Sequence, residues 1–110
     1  ESIYCHWDGY PEHNGRILKS CYNDFSSVYQ LIQLGDLSAL GESIGEKQDF
    51  NRPCESWCLA YGRDRGESDV HAQRHSSWVE YLKVGEEYNY LFRNGVWLVN
   101  GRHTGGLKEF

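Results

Sequence analysis

Methionine is absent from this chain of 110 residues, and proline occurs only twice. Without methionine the core has no flexible gap-filler, and with so little proline few backbone breaks are imposed. No apolar run approaches the roughly 20 residues that would carry a helix across a bilayer. No charged-then-apolar leader opens the sequence, which reads as cytosolic, and a first residue of Glu1 rather than Met suggests a trimmed start. Basic charge is also scarce. Eleven Lys and Arg against sixteen Asp and Glu leave a formal net charge of −5, which disfavours a protein that coats nucleic acid through its phosphates, since that mode needs clustered cations. An acidic surface suits solubility, or approach to a basic site on another protein.

Rings are abundant. Four Trp, eight Tyr and four Phe, each able to bury about 150 to 250 Å², supply a small core without metal or disulfide help. Length predicts one domain, residues 1–110. Cys5, Cys21, Cys54 and Cys58 are spaced C-x15-C and C-x3-C, without paired C-x2-C knuckles. Reduced thiols are expected, with a zinc site or a disulfide pair as alternatives.

Along the chain, Ile3 to Trp7 is rich in strand-forming residues and runs into a turn at Asp8-Gly9. Pro11 is placed to open a short helix through Leu18, although Gly15 weakens it. Ser27 with Gln30 has the form of a capping box for a helix over about 27–34, closed by Gly35. Leu37, Leu40 and Ile44 continue a helical stripe after Asp36, although Gly41 and Gly45 weaken it. Trp57 to Tyr61 reads as a strand entering a charged turn, Gly62 to Gly66. Ser77 and Glu80 cap a further helix with Trp78, Tyr81 and Leu82 turned inward. Asn94-Gly95 between Tyr88–Phe92 and Val96–Val99 predicts a type I′ hairpin. The remainder, about 101–110, reads as a loose tail. The fold class is therefore α+β: a small antiparallel or mixed sheet, two or three helices on one face, and a C-terminal β-hairpin.

Three strings carry more specificity than propensity explains. They are Ile3-Tyr4-Cys5-His6-Trp7-Asp8-Gly9-Tyr10-Pro11-Glu12-His13-Asn14-Gly15, Leu34-Gly35-Asp36-Leu37-Ser38, and Tyr61-Gly62-Arg63-Asp64-Arg65-Gly66-Glu67. In these the chain resembles a family of small, mostly uncharacterised proteins of tailed bacteriophages and bacterial prophages, over about Ser2 to Val99. The resemblance implies a further edge strand ahead of the matched region, a phage accessory gene, and the cytoplasm of the bacterial host. It carries no catalytic signature. Accessory proteins of this kind adjust the infected host or blunt its antiviral systems by stoichiometric binding to a protein or a nucleotide signal.

Several constellations are candidates for chemistry. His6 and Asp8 share a strand face, with His13 beyond the turn, and their side chains are ligand types for a hydrolytic metal. A sheet histidine beside a turn-organising aspartate explains the same residues without a metal. His71 and His75 lack the intervening carboxylate of a zinc-protease helix and read as loop. Cys5 with His6 or His13 makes a poor nucleophile pair. Arg63 and Arg65, flanking Asp64, offer two guanidinium forks for phosphate or carboxylate. Their competing role is an internal ion-pair network with Asp64, Glu67 and Asp8.

Taken together, the residues predict a binding protein without cofactor, engaging a host protein or nucleotide-like ligand through Trp7, Asp8, Tyr10, Arg63, Asp64, Arg65 and Glu67. The turns at 7–11 and 63–67 are expected to meet at one sheet end. The alternative is a small metal-dependent hydrolase acting on a phosphorylated substrate through His6, Asp8 and His13. Apolar surplus around the hairpin predicts a homodimer.

Overall fold

The computed structural model describes residues 1–101 and 104–110. Among these it is an α+β fold with four α-helices and two antiparallel sheets, of two and three strands. No helix among them is long and apolar enough to cross a membrane.

The N-terminal segment is extended but does not become a regular strand. It lies parallel to β1 (Leu37–Ala39), bridging through Cys5 and Leu37. Leu37 N–H donates to Tyr4 O (2.7 Å), His6 N–H to Leu37 O (3.0 Å) and Trp7 N–H to Ser38 O (3.0 Å). On the other side of β1 runs β2 (Leu59–Ala60), antiparallel, with Leu37 opposite Ala60 and Ala39 opposite Leu59.

Pro11 does open a helix, but the first turn is wide: Pro11–Gly15 is π-helical and continues into α1 (Arg16–Cys21). Gly15 belongs to that turn for a packing reason, since a Cβ there would stand 3.1 Å from the Phe110 ring and 3.3 Å from Tyr90.

The next helix, α2 (Phe25–Gln33), starts ahead of Ser27, so the expected box of Ser27 and Gln30 is corrected. Asp24 is the cap. Its carboxylate accepts from Ser27 N–H at 2.8 Å while Asp24 N–H donates to Ser27 Oγ at 3.4 Å. The box is reciprocal, with the hydroxyl at its third helical position rather than at its head. Gly35 ends the helix in the left-handed region, φ 75.

Beyond Gly35 the helical stripe through Leu37, Leu40 and Ile44 does not form. Asp36 N–H is committed to Val70 O (2.7 Å) and its carbonyl to Tyr61 N–H (3.2 Å), so the backbone is already claimed by neighbouring chains and runs extended as β1. Leu37 and Leu40 are buried all the same, with Ile17, Leu18, Tyr22, Leu31, Cys58 and Ala60. Apolar spacing had marked the core correctly and the period wrongly.

The glycine-flanked Arg63 segment is likewise a helix and not a turn: α3 (Tyr61–Arg65), closed by Gly66 at φ 75. Ser77 caps α4 (Trp78–Tyr81), accepting from Glu80 N–H at 3.2 Å. Trp78 does not turn inward but lies exposed beneath the Arg93 guanidinium, 4.8 Å from its ring centre.

The hairpin forms as expected, β3 (Tyr88–Arg93) pairing with β4 (Val96–Gly101). The expected loose tail is corrected, because β5 (Gly106–Glu109) adds a third strand, Leu98 to Gly101 pairing with Glu109 to Gly106. Positions 102 and 103 of that stretch lie outside the described residues. Trp97 fixes this sheet to the helical layer by donating its indole N–H to Tyr22 O at 2.6 Å.

Asn94 (φ 52) and Gly95 (φ 80) both take the positive angles a type I′ turn requires. Open space surrounds Gly95, so the cost of a side chain there is backbone strain alone. Gly95→Val is expected to lose about 1 to 3 kcal/mol. An unchanged melting temperature would contradict this assignment.

Candidate functional site

The two predicted turns do not meet. Because the Tyr4–Trp7 segment runs parallel to β1 while β2 runs antiparallel, the chain leaves Trp7 beyond Ser38 at one end and leaves Ala60 beside Asp36 at the other. Trp7, Asp8 and Tyr10 thus separate from Arg63, Asp64, Arg65 and Glu67.

The arginines also divide between themselves. Arg63 turns inward, donating Nε to Asp64 Oδ1 (2.9 Å), Nη1 to Ile44 O (2.8 Å) and Nη2 to Cys58 O (2.8 Å). Asp64, its carboxylate fully buried, also accepts from Ala60 N–H (2.8 Å) and Gln48 N–H (3.1 Å). Burial pushes the Asp64 carboxyl up, but the Arg63 hydrogen bond and charge and the two amide donors outweigh it and hold the group below the ordinary carboxylate range. Arg65 turns outward to pair with Glu67, its guanidinium 4.5 Å from the Phe50 ring centre and 4.8 Å from that of Tyr61. The internal network therefore exists in part: Asp64 serves Arg63 and Glu67 serves Arg65, with Asp8 in neither pair.

Metal-ligand candidates are also engaged singly. His6 Nδ1 is 2.9 Å from the Tyr4 hydroxyl, and His13 Nδ1 is 2.9 Å from Asn14 Oδ1. Among the described residues, no three His, Cys, Asp or Glu side chains gather closely enough to hold a metal ion. The four cysteines are unpaired. Burial raises the Cys5 thiol to about 11, so it stays protonated at neutral pH, and its neighbours are Asn14 Nδ2 at 3.5 Å and Trp7 O at 3.6 Å.

A cleft of about 770 Å³ lies between the N-terminal segment and the layer made by β3 and α4. That volume lies within the usual range for ligand sites. Its floor is apolar, with Leu18, Leu31 and Leu37, and its walls are aromatic, with Tyr4, Tyr10, Trp78, Tyr81, Tyr88 and Tyr90. Asp8 is held at φ 61 where the N-terminal segment turns, and the Tyr90 hydroxyl donates to Gly9 O at 2.6 Å, pinning that turn against β3. Across the cleft, the side-chain amide of buried Asn89, assigned with its nitrogen toward the carbonyls of Val84 (3.2 Å) and Glu86 (3.3 Å), satisfies both and ties down the loop that carries Glu86 and Glu87. Asp8, Glu86 and Glu87 all line the cleft, and neither Lys nor Arg does among the described residues.

Of the predicted site residues, Asp8 and Tyr10 belong to this cleft and Trp7, 58% exposed, stands on the same turn. Glu67 borders a separate, smaller depression of about 230 Å³ beside Val70 and His71. Sequence reasoning did not place Tyr4, Trp78, Glu86 and Glu87 in the site. The aromatic surplus was their one signal, and it does not say which rings share a wall. No family model matches this chain, and no curated protein or solved structure matches it.

Proposed function

We propose that this chain is a phage-encoded accessory protein that works in the cytoplasm of the bacterial host by stoichiometric binding to a host protein, as a counter-defence inhibitor. The observation that carries the binding reading is the cleft, where exposed rings stand over an apolar floor in a space large enough for a ligand. Tyr4 and Tyr10, 40% and 44% exposed, present contact area of the kind enriched at binding hot spots. A nucleotide signal is the weaker partner, because the guanidinium forks that would hold its phosphates are spent on Asp64 and Glu67. The phage setting rests on the sequence resemblance alone.

Capture from host extract tests the reading. Immobilised wild type should retain a defined protein that Tyr4→Ala/Tyr10→Ala loses by more than about tenfold, the scale of paired hot-spot truncations. Mass spectrometry of protein and nucleotide fractions distinguishes the partners, and retention that ignores the double substitution would overturn the cleft assignment.

Self-association belongs to the same proposal. The hairpin, from which the dimer was expected, exposes one large hydrophobic, Val96, whereas Phe25 and Tyr29 stack on α2 with ring centres 6.2 Å apart and are 78% and 52% exposed, so this helix carries the patch suited to a two-fold contact. Sedimentation showing a monomer at high micromolar concentration would remove this part.

A further inference from the structure

We infer that the cleft accepts arginine side chains from an extended, basic segment of a partner protein. The inference rests on the binding reading above and names the chemistry of the occupant.

Two independent features of the walls point to it. The first is aromatic: Tyr4 and Tyr10 on the N-terminal segment line the cleft together with Tyr81, Tyr88 and Trp78, the last already carrying Arg93 on its ring. A guanidinium is flat, weakly hydrated and able to stack on such rings while its edge remains free for hydrogen bonds. The molecule already uses this pairing on itself, with Arg93 over Trp78 and Arg65 between Phe50 and Tyr61.

The second feature is charge. Asp8 projects from one wall and Glu86 and Glu87 from the other, while the lining holds no cation from Lys or Arg. The carboxylates act on the rings beside them: the Asp8 charge, foremost, raises the Tyr10 hydroxyl, and Glu86 adds to the effect of burial on Tyr4. Glu86 is thus felt across the cleft by a residue far from it in sequence. Carboxylates outnumber cations among the lining side chains, which favours a cation over a phosphate, the Arg93 guanidinium beside Trp78 being engaged on that ring. The lining also includes His6 and His75, the latter tied to the Ser2 hydroxyl at 2.6 Å and so already partnered.

Fluorescence anisotropy with labelled nona-arginine and nona-lysine peptides tests this at about 0.15 M salt, where surface charges beyond about 8 Å are screened. The arginine peptide should bind several-fold tighter than the lysine peptide, because stacking adds to charge. Glu86→Gln/Glu87→Gln should weaken it about tenfold, since local pairing charges govern such complexes. The double substitution Glu42→Gln/Glu46→Gln removes the same charge from positions outside the cleft lining, and should change binding less than about twofold. Equal loss from both pairs, or equal affinity for the two peptides, overturns the arginine assignment. Should wild type capture a host protein through Tyr4 and Tyr10 yet ignore the arginine peptide, binding at the cleft stands and its occupant is different. If the peptide behaves as expected while no host protein is captured, the cleft chemistry stands and the host-directed role falls.

Discussion

Arg63→Gln is expected to destabilise the protein by about 3 to 5 kcal/mol, the cost of leaving a buried charge without its partner, whereas Arg65→Gln should cost no more than about 1 kcal/mol. The two arginines are near neighbours in sequence and chemically identical, so the difference comes from placement. Arg63 ties Asp64 to the carbonyls of Ile44 and Cys58, stitching the chain at Ile44 and the residue before β2 to α3 through one guanidinium. Removing it strands a carboxylate with no exposed surface. The Arg65–Glu67 pair is half exposed on the arginine side and screened by water. Urea unfolding followed by tryptophan fluorescence measures both. Similar, small losses for the two variants would contradict the assignment of Arg63 as structural.

Asp64 also sets an acid limit. Its folded pKa is lowered, so its contribution is fully present above the unfolded value of about 3.9 and is lost as pH falls through the lower folded value. Wild-type melting temperature should therefore drop on acidification below about pH 4, and Asp64→Asn, less stable at neutrality, should show a shallower drop.

What was legible in the sequence was local. The Asn94-Gly95 turn was readable because two positive φ angles in succession admit few residue types, and the Ser77 cap because a hydroxyl three residues before Glu80 satisfies a helix end in any context. Legibility failed where two side chains compete for one backbone position, and more where the outcome depends on a distant chain. Ser27 was identified as a capping residue, but Asp24 competes for the head of the same box and its carboxylate takes it. The segment Gly62 to Gly66 looks like a turn by composition, yet Asp64 folds back onto Ala60 N–H and draws it into a helix. The site suffered most. Trp7 and Arg63 each follow an extended segment, and nothing local says that one segment runs parallel to β1 and the other antiparallel. That difference in direction sends their turns to opposite ends, and the cleft proposed here as the site has a second wall, Glu86 and Glu87, that no motif marks.

Gly41 shows the same limit, and Gly41→Ala is expected to cost about 3 kcal/mol or more, the upper end for overpacking a buried contact. By sequence Gly41 merely weakens a helix that does not exist. In the structure it is where the chain after β1 crosses the approach to β2: a Cβ would stand 2.5 Å from Trp57 O and 2.6 Å from Cys58 N. These are backbone atoms, so no side-chain rotation relieves the clash, and the two chains must part. Parting them breaks more than one contact, because Gly41 O accepts from the Tyr22 hydroxyl at 2.7 Å and Gly41 N–H donates to Cys58 Sγ at 3.4 Å, all within the core. A matched control separates crowding from backbone preference. Gly66 sits at φ 75 with open space around it, so Gly66→Ala should cost about 1 to 2 kcal/mol from the left-handed conformation alone. Thermal unfolding of both variants decides the point, and a Gly41→Ala loss no greater than that of Gly66→Ala would show that the crossing is looser than described.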